Sequence, residues 1–248
     1  MGYADNSTKS TYRTDAKAEQ ALSEFVKNFY LAPKNAEAQG LRIYTQEFTD
    51  SRIQKDGVDY AILDMTRPGV TVNVDMKATL AYVNRDIPTF AFETSFYLRG
   101  DETKLMEGWF VNNKLQTHKY LLLWPRAKHT DLRRIRGCDF TEVFALLVDK
   151  KKLQRYLAEN NLPLDRIRKL SEKLREAEAE AGRAVKKHPK HVPEGVMMAY
   201  SPQLAEKPVN IIISVDILFS LADEAVLITR DGLLPMQSTD DFFHRGGA

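Results

Sequence analysis

The stretch GVDYAILDMTRPGVTVNVDMKA, residues 57–78, constrains the fold more than any other part of the chain. Two runs rich in β-branched and aromatic residues, 58–65 and 70–78, flank Arg67-Pro68-Gly69. Proline presets one backbone angle and glycine tolerates the left-handed one, so the two runs predict an antiparallel hairpin. Side chains alternate faces along a strand, so Val74, Met76 and Ala78 share one face while Asp75 and Lys77 share the other. With a three-residue turn, residue 59 falls opposite residue 77 and residue 61 opposite residue 75, which puts Asp59 on the charged face. One face of the hairpin can be core, and the other carries two carboxylates and an amine.

The flanking sequence predicts where this hairpin sits. Ala18, Ala21, Leu22, Phe25, Val26 and Phe29 recur at helical spacing, giving a helix from residue 14 with Thr14 as its N-cap. Strands are expected over 41–48, 89–98, 119–125 and 140–149, the run KYLLLWP being of the kind buried on both faces. A short helix follows over 150–160. Pro163 then opens a longer one, to about residue 185, with Leu164, Ile167, Leu170 and Leu174 on one stripe and dense mixed charge on the solvated face. VMMAY, VNIIISVDILFSLA and AVLITR predict a strand, a strand running into a helix, and a strand. The expected organisation is a flexible terminus at 1–13, an α/β core at 14–148, and a helical and α/β elaboration at 149–248 packed on that core.

Composition narrows the function classes. The 248 residues carry 36 basic and 34 acidic side chains, a net charge of +2, so contact with nucleic acid would have to come from local patches. The single cysteine, Cys138, excludes an intramolecular disulfide and a cysteine-based zinc site and suits the cytoplasm. No stretch approaches the roughly 20 apolar residues that span a bilayer, so no membrane partner is expected. A phosphate-binding glycine loop, a nucleophile elbow and a dinucleotide fingerprint are all missing, which argues against a nucleotide kinase, an α/β-hydrolase and a Rossmann dehydrogenase. The five histidines show no metal-ligand spacing.

Two carboxylates brought close together repel unless a cation lies between them, and oxygen ligands with open water positions suit Mg²⁺ or Mn²⁺. An adjacent lysine can hold a metal-bound water and stabilise charge on a phosphate. Asp59, a hairpin, then Asp75-Met76-Lys77, preceded by a helix and approached through Gln54 and Gly57, resembles the PD-(D/E)XK nuclease superfamily. The resemblance covers about residues 14–125, and Val58 stands where many members have proline. It implies a restriction-endonuclease-like mixed central sheet flanked by helices and a Mg²⁺- or Mn²⁺-dependent phosphodiester hydrolase acting on DNA in preference to RNA. It also implies Asp59, Asp75 and the Met76 carbonyl as metal ligands, and Lys77 as the water-positioning amine. A further acid comes from the N-terminal helix in such proteins; Glu19 occupies that place, with Glu24 as the substitute.

Glu93, an acid in the apolar run FAFETS, is an additional catalytic candidate or a member of a structural ion pair. Arg126, Lys128, Arg133, Arg134 and Arg136, beside Trp124, form the strongest basic patch and are candidates for holding a nucleic-acid backbone, or else a solvated loop. Two other functions are open to the same sequence: a catalytically inactive nuclease-like module that binds nucleic acid or protein, and an assembly protein that docks a partner or a second copy through the helix at 163–185.

Overall fold

The computed structural model describes residues 12–32, 43–47, 57–64, 71–98, 101–179 and 182–243. Gln54, the turn Arg67-Pro68-Gly69 and residues 1–11 lie outside them. The first helix, α1 (Tyr12–Val26), continues as a π turn over Lys27–Leu31. It starts two residues before Thr14, which is therefore within the helix and not its cap. Ala18, Ala21, Leu22, Phe25 and Val26 are buried, as their spacing predicts.

Three strands follow, β1 (Ile43–Glu47), β2 (Tyr60–Asp64) and β3 (Thr71–Ala78), and then β4 (Thr89–Leu98), β5 (Asp101–Glu107), β6 (Lys119–Ala127) and β7 (Phe140–Asp149). Helices α2 (Lys150–Glu159) and α3 (Leu164–Ala177) lead to β8 (Val185–Lys187), β9 (Val196–Tyr200) and β10 (Val209–Ser214). Helix α4 (Val215–Leu221), β11 (Ala222–Thr229), β12 (Leu233–Pro235) and α5 (Asp240–Phe243) are the last elements among the described residues. Asp149 caps α2 by accepting the Lys152 N–H, and Ser214 does the same for α4 through Ile217.

The strands form two sheets, which makes the fold mixed α/β. One is seven-stranded in the order β1-β2-β3-β6-β7-β11-β12, with β3 and β6 parallel and its other neighbours antiparallel. The other is five-stranded and antiparallel, β5-β4-β10-β9-β8. The second sheet departs from the single central sheet expected above: β4 leaves the hairpin sheet and pairs with β10, more than a hundred residues downstream. Residues from the second half of the chain complete both sheets.

The large sheet is covered on both faces, and strand alternation sorts its side chains. Val74, Leu121, Leu123, Val143, Ala145 and Leu147 pack under α1. Tyr120, Leu122, Trp124, Phe144, Leu146 and Val148 pack against Phe90, Phe92, Ile211 and Ile213 of the second sheet. With both faces buried, β6 and β7 are continuous apolar runs, as expected for KYLLLWP.

Helix α3 ends at Ala177, short of residue 185, and the chain turns into β8. Ile167 and Leu174 are buried in the core shared with β9 and β10, and Leu164 and Leu170 pack against it. The stripe expected to dock a partner is thus largely covered by the chain's own second sheet.

Candidate active site

Gly57 sets the approach to the first acid. Its φ is +75°, and a Cβ there would lie 2.5 Å from Thr117 Oγ1, whose hydroxyl donates to the Gly57 carbonyl at 2.7 Å. Only glycine meets both demands. Two residues later, the Asp59 N–H donates to the Val74 carbonyl at 2.9 Å, and the Asp59 carboxylate accepts the Met76 N–H at 2.6 Å.

The hairpin register differs from the expected one by two residues. Tyr60 pairs with Val74 and Ala61 with Asn73, so Asp59 continues the ladder opposite Asp75, not opposite Lys77. A shift of two preserves the face. Tyr60 and Val74 lie in the core under α1, with Met76 and Ala78 packed against it, and Asp59, Asp75 and Lys77 alternate to the other side. On that side Asp75 neighbours Tyr120 of β6.

Asp59, Asp75, Met76 and Lys77 line one cavity of about 860 Å³, with Glu19 and Glu24 on the α1 wall and Trp109 on the wall of the second sheet. Asp75 is 3% exposed, and its Oδ1 accepts from Lys77 Nζ at 2.5 Å. Its Oδ2 has no hydrogen-bond partner among the described residues. Lys77 Nζ also stands 5.4 Å from the Trp109 ring centre.

Burial, and then the Asp75 charge, push Asp59 up to about 6, while Lys77 and the Met76 N–H pull the other way. Burial works against the Lys77 ammonium, but Asp75, Asp59 and Glu19 more than offset it, and its pKa is raised. Lys77 is therefore a cation at neutral pH and acts as a donor, not as a base.

Glu93 belongs to the same electrostatic neighbourhood without lining the cavity. Burial and then Glu206 push it up to about 7, while Lys77 and the Trp109 backbone N–H oppose the rise. Lys150, which sequence reading passed over, is 6% exposed; its Nζ donates to the Asn112 carbonyl at 3.3 Å, and burial lowers its pKa while the Asp75 charge favours its ammonium. Trp109 was also passed over, because an aromatic in GWFV reads as core; its only sequence signal is the adjoining glycine.

These shifts predict the pH dependence of the metal-free protein. Asp59 and Glu93 have folded pKa values above the ordinary carboxyl values of 3.8 and 4.5, so between those and about 6 and 7 the folded chain binds more protons than the unfolded one. Stability conferred by this pair falls as pH rises through that window. In chelator, the urea midpoint is expected to be higher at pH 5.5 than at pH 8, and the difference is expected to shrink in the double variant Asp59→Asn, Glu93→Gln. A midpoint difference of the same size in that variant would refute the assignment.

The basic patch is dispersed. Arg126 donates to Asp86 at 2.9 Å and to the Phe242 carbonyl at 2.7 Å and lies 4.4 Å over the Phe242 ring, so it pins α5 to β6. Trp124, 2% exposed, is in the core and cannot stack on a base. Lys128, Arg133, Arg134 and Arg136 are exposed, with Arg133 and Arg134 paired to Asp131 and Arg136 to Asp139. Pairs made by such exposed guanidinium groups contribute little to stability, and the paired acids offset part of the patch's positive charge. His118 reaches the sheet, its Nδ1 accepting the Asn73 N–H at 2.9 Å.

The residues fit a hard divalent ion. The cavity lining holds four acids, Glu19, Glu24, Asp59 and Asp75, against two lysines, Lys27 and Lys77, and one buried carboxylate oxygen is unpartnered. Among the described residues no three His, Cys, Asp or Glu side chains cluster as a metal cage. Two carboxylates with a carbonyl leave positions for water, which suits Mg²⁺ and not a closed zinc site. No helix among the described residues is long and apolar enough to cross a membrane. Searches of protein-family models, curated proteins and solved structures give no match to this chain, so the reading of the site rests on its own geometry.

Proposed function

We propose that this protein is a Mg²⁺- or Mn²⁺-dependent nuclease of the restriction-endonuclease-like kind, hydrolysing phosphodiester bonds in DNA in preference to RNA. The observation that carries the reading is the pair of buried Asp75 and partly buried Asp59 at the open end of a hairpin, lining a cavity with the Lys77 ammonium beside them. Asp75, through its unpartnered Oδ2, and Asp59 would hold the ion, with the Met76 carbonyl as a third ligand. Such an ion lowers the pKa of a bound water and neutralises phosphate charge. Lys77 supplies N–H donors to the attacking water or to a non-bridging phosphate oxygen, and the Met76 N–H keeps the Asp59 carboxylate oriented. Glu19 supplies a further acid from α1.

The test is cleavage of supercoiled, linear and single-stranded DNA, and of RNA, in Mg²⁺, Mn²⁺ or chelator. Cleavage with either ion and none in chelator is expected. Tight binding of nucleic acid with no cleavage under any condition would instead favour the inactive binding module, for which the close Lys77–Asp75 pair is the supporting observation. Neither cleavage nor binding would overturn both readings.

A further inference from the structure

Lys77 is held by two contacts of different kinds. Asp75 grips the ammonium by charge and hydrogen bond, and the Trp109 indole faces it at 5.4 Å. A divalent ion on Asp75 Oδ2 would draw on the carboxylate charge that sustains the first contact and would leave the second untouched. An arene attracts an ammonium through its quadrupole and carries no charge for the ion to take up.

The indole is fixed from behind by its turn and by neighbouring rings. The Gly108 N–H donates to the Thr94 carbonyl at 3.0 Å, and the Phe110 N–H to the Glu93 carbonyl at 3.1 Å, so the turn lies flat on β4. A Cβ at Gly108 would fall 2.3 Å from the Glu93 carbonyl oxygen, so no larger residue permits this approach. Tyr120 at 5.1 Å and Phe92 at 5.4 Å pack on the ring.

We infer that Trp109 is a positioning residue for Lys77, its indole forming a rigid seat that keeps the ammonium at the phosphate when Asp75 is engaged elsewhere. The backbone carbonyls of Glu93 and Thr94 anchor the turn behind it. The cleavage part of the test rests on the nuclease reading; the spectroscopic part does not.

Trp109→Leu is expected to lower kcat about fivefold to tenfold with KM within about twofold, while Trp109→Phe, which keeps an arene, retains most of the activity. Combined with Lys77→Met, Trp109→Leu is expected to cause no additional loss, because the residue it positions is gone. Independent, multiplying losses would overturn the inference. The second readout uses the chain's two tryptophans, of which Trp124 is buried and does not line Lys77's cavity, whereas Trp109 does. Lys77→Met is expected to change the emission of the wild type and to leave that of Trp109→Phe unchanged. Identical emission before and after Lys77→Met in the wild-type background would overturn the seat even if the protein cleaves nothing.

Discussion

Asp75→Ala is expected to lower metal-dependent cleavage by on the order of a thousandfold or more, since in the proposed nuclease the residue would combine a ligand oxygen with the anchor of the water-holding amine. The fold is expected to survive. Removing a partner from a buried ion pair ordinarily strands a charge, at a cost of about 3–5 kcal/mol, but here the Lys77 ammonium keeps Asp59 and Glu19 in its field. The same substitution removes the unpartnered Oδ2 and the Asp75 charge that adds to burial in raising Asp59. Metal-free stability is therefore expected to stay within about 1 kcal/mol of the wild type, which would mark the acid pair as a site kept for chemistry at the expense of folding. Mn²⁺ is expected to raise the unfolding temperature of the wild type and not that of the variant, because only a folded state that binds the ion gains stability from it. Full cleavage by Asp75→Ala, or an equal Mn²⁺ shift in both proteins, would sink the site assignment.

The hairpin was readable because period-2 alternation is local: Val74 and Met76 on one face and Asp75 and Lys77 on the other follow from sequence order alone. Its register was not, because the register depends on the length of the turn; one set by Arg67-Pro68-Gly69 is two residues away from the observed Tyr60–Val74 pairing. The fate of β4 was hidden for a different reason. TFAFETSFYL is an apolar strand wherever it goes, and its partners at Val209–Ser214 are distant in the chain, so only tertiary packing separates a second sheet from an extension of the first. That packing also determines what surrounds Glu93: on β4 its backbone carbonyl holds the Trp109 turn, and no spacing rule links residues 93, 109 and 77. Arg126 and Trp124 misled because basic and aromatic residues in WPRAKHTDLRRIRG suggest a surface, whereas β6 is an interior strand whose side chains turn inward on both faces.

Phe92→Ala is expected to cost about 3–5 kcal/mol, the largest stability loss of any substitution considered. The ring is 0% exposed and lies between the two sheets, with Phe110 at 5.1 Å, Phe90 and Trp109 both at 5.4 Å, and Tyr120 at 6.0 Å. Its neighbours belong to different segments, so collapse of one into the vacated space would open a gap at another, and the cavity would persist. Phe92→Leu, which keeps most of the volume, is expected to cost less than half as much. The effect should also reach the chemistry, because Phe92 is one of the rings that fix Trp109 and hence Lys77. At a temperature where Phe92→Ala is still folded, cleavage is expected to fall by about the same factor as in Trp109→Leu, whereas Phe144→Ala, equally buried but packed on Trp124 and Phe242, should lose stability alone. Urea titrations of the three variants beside their cleavage rates provide the check. Equal activity loss in Phe92→Ala and Phe144→Ala at matched stability would show that general loosening, and not the Trp109 seat, governs the site.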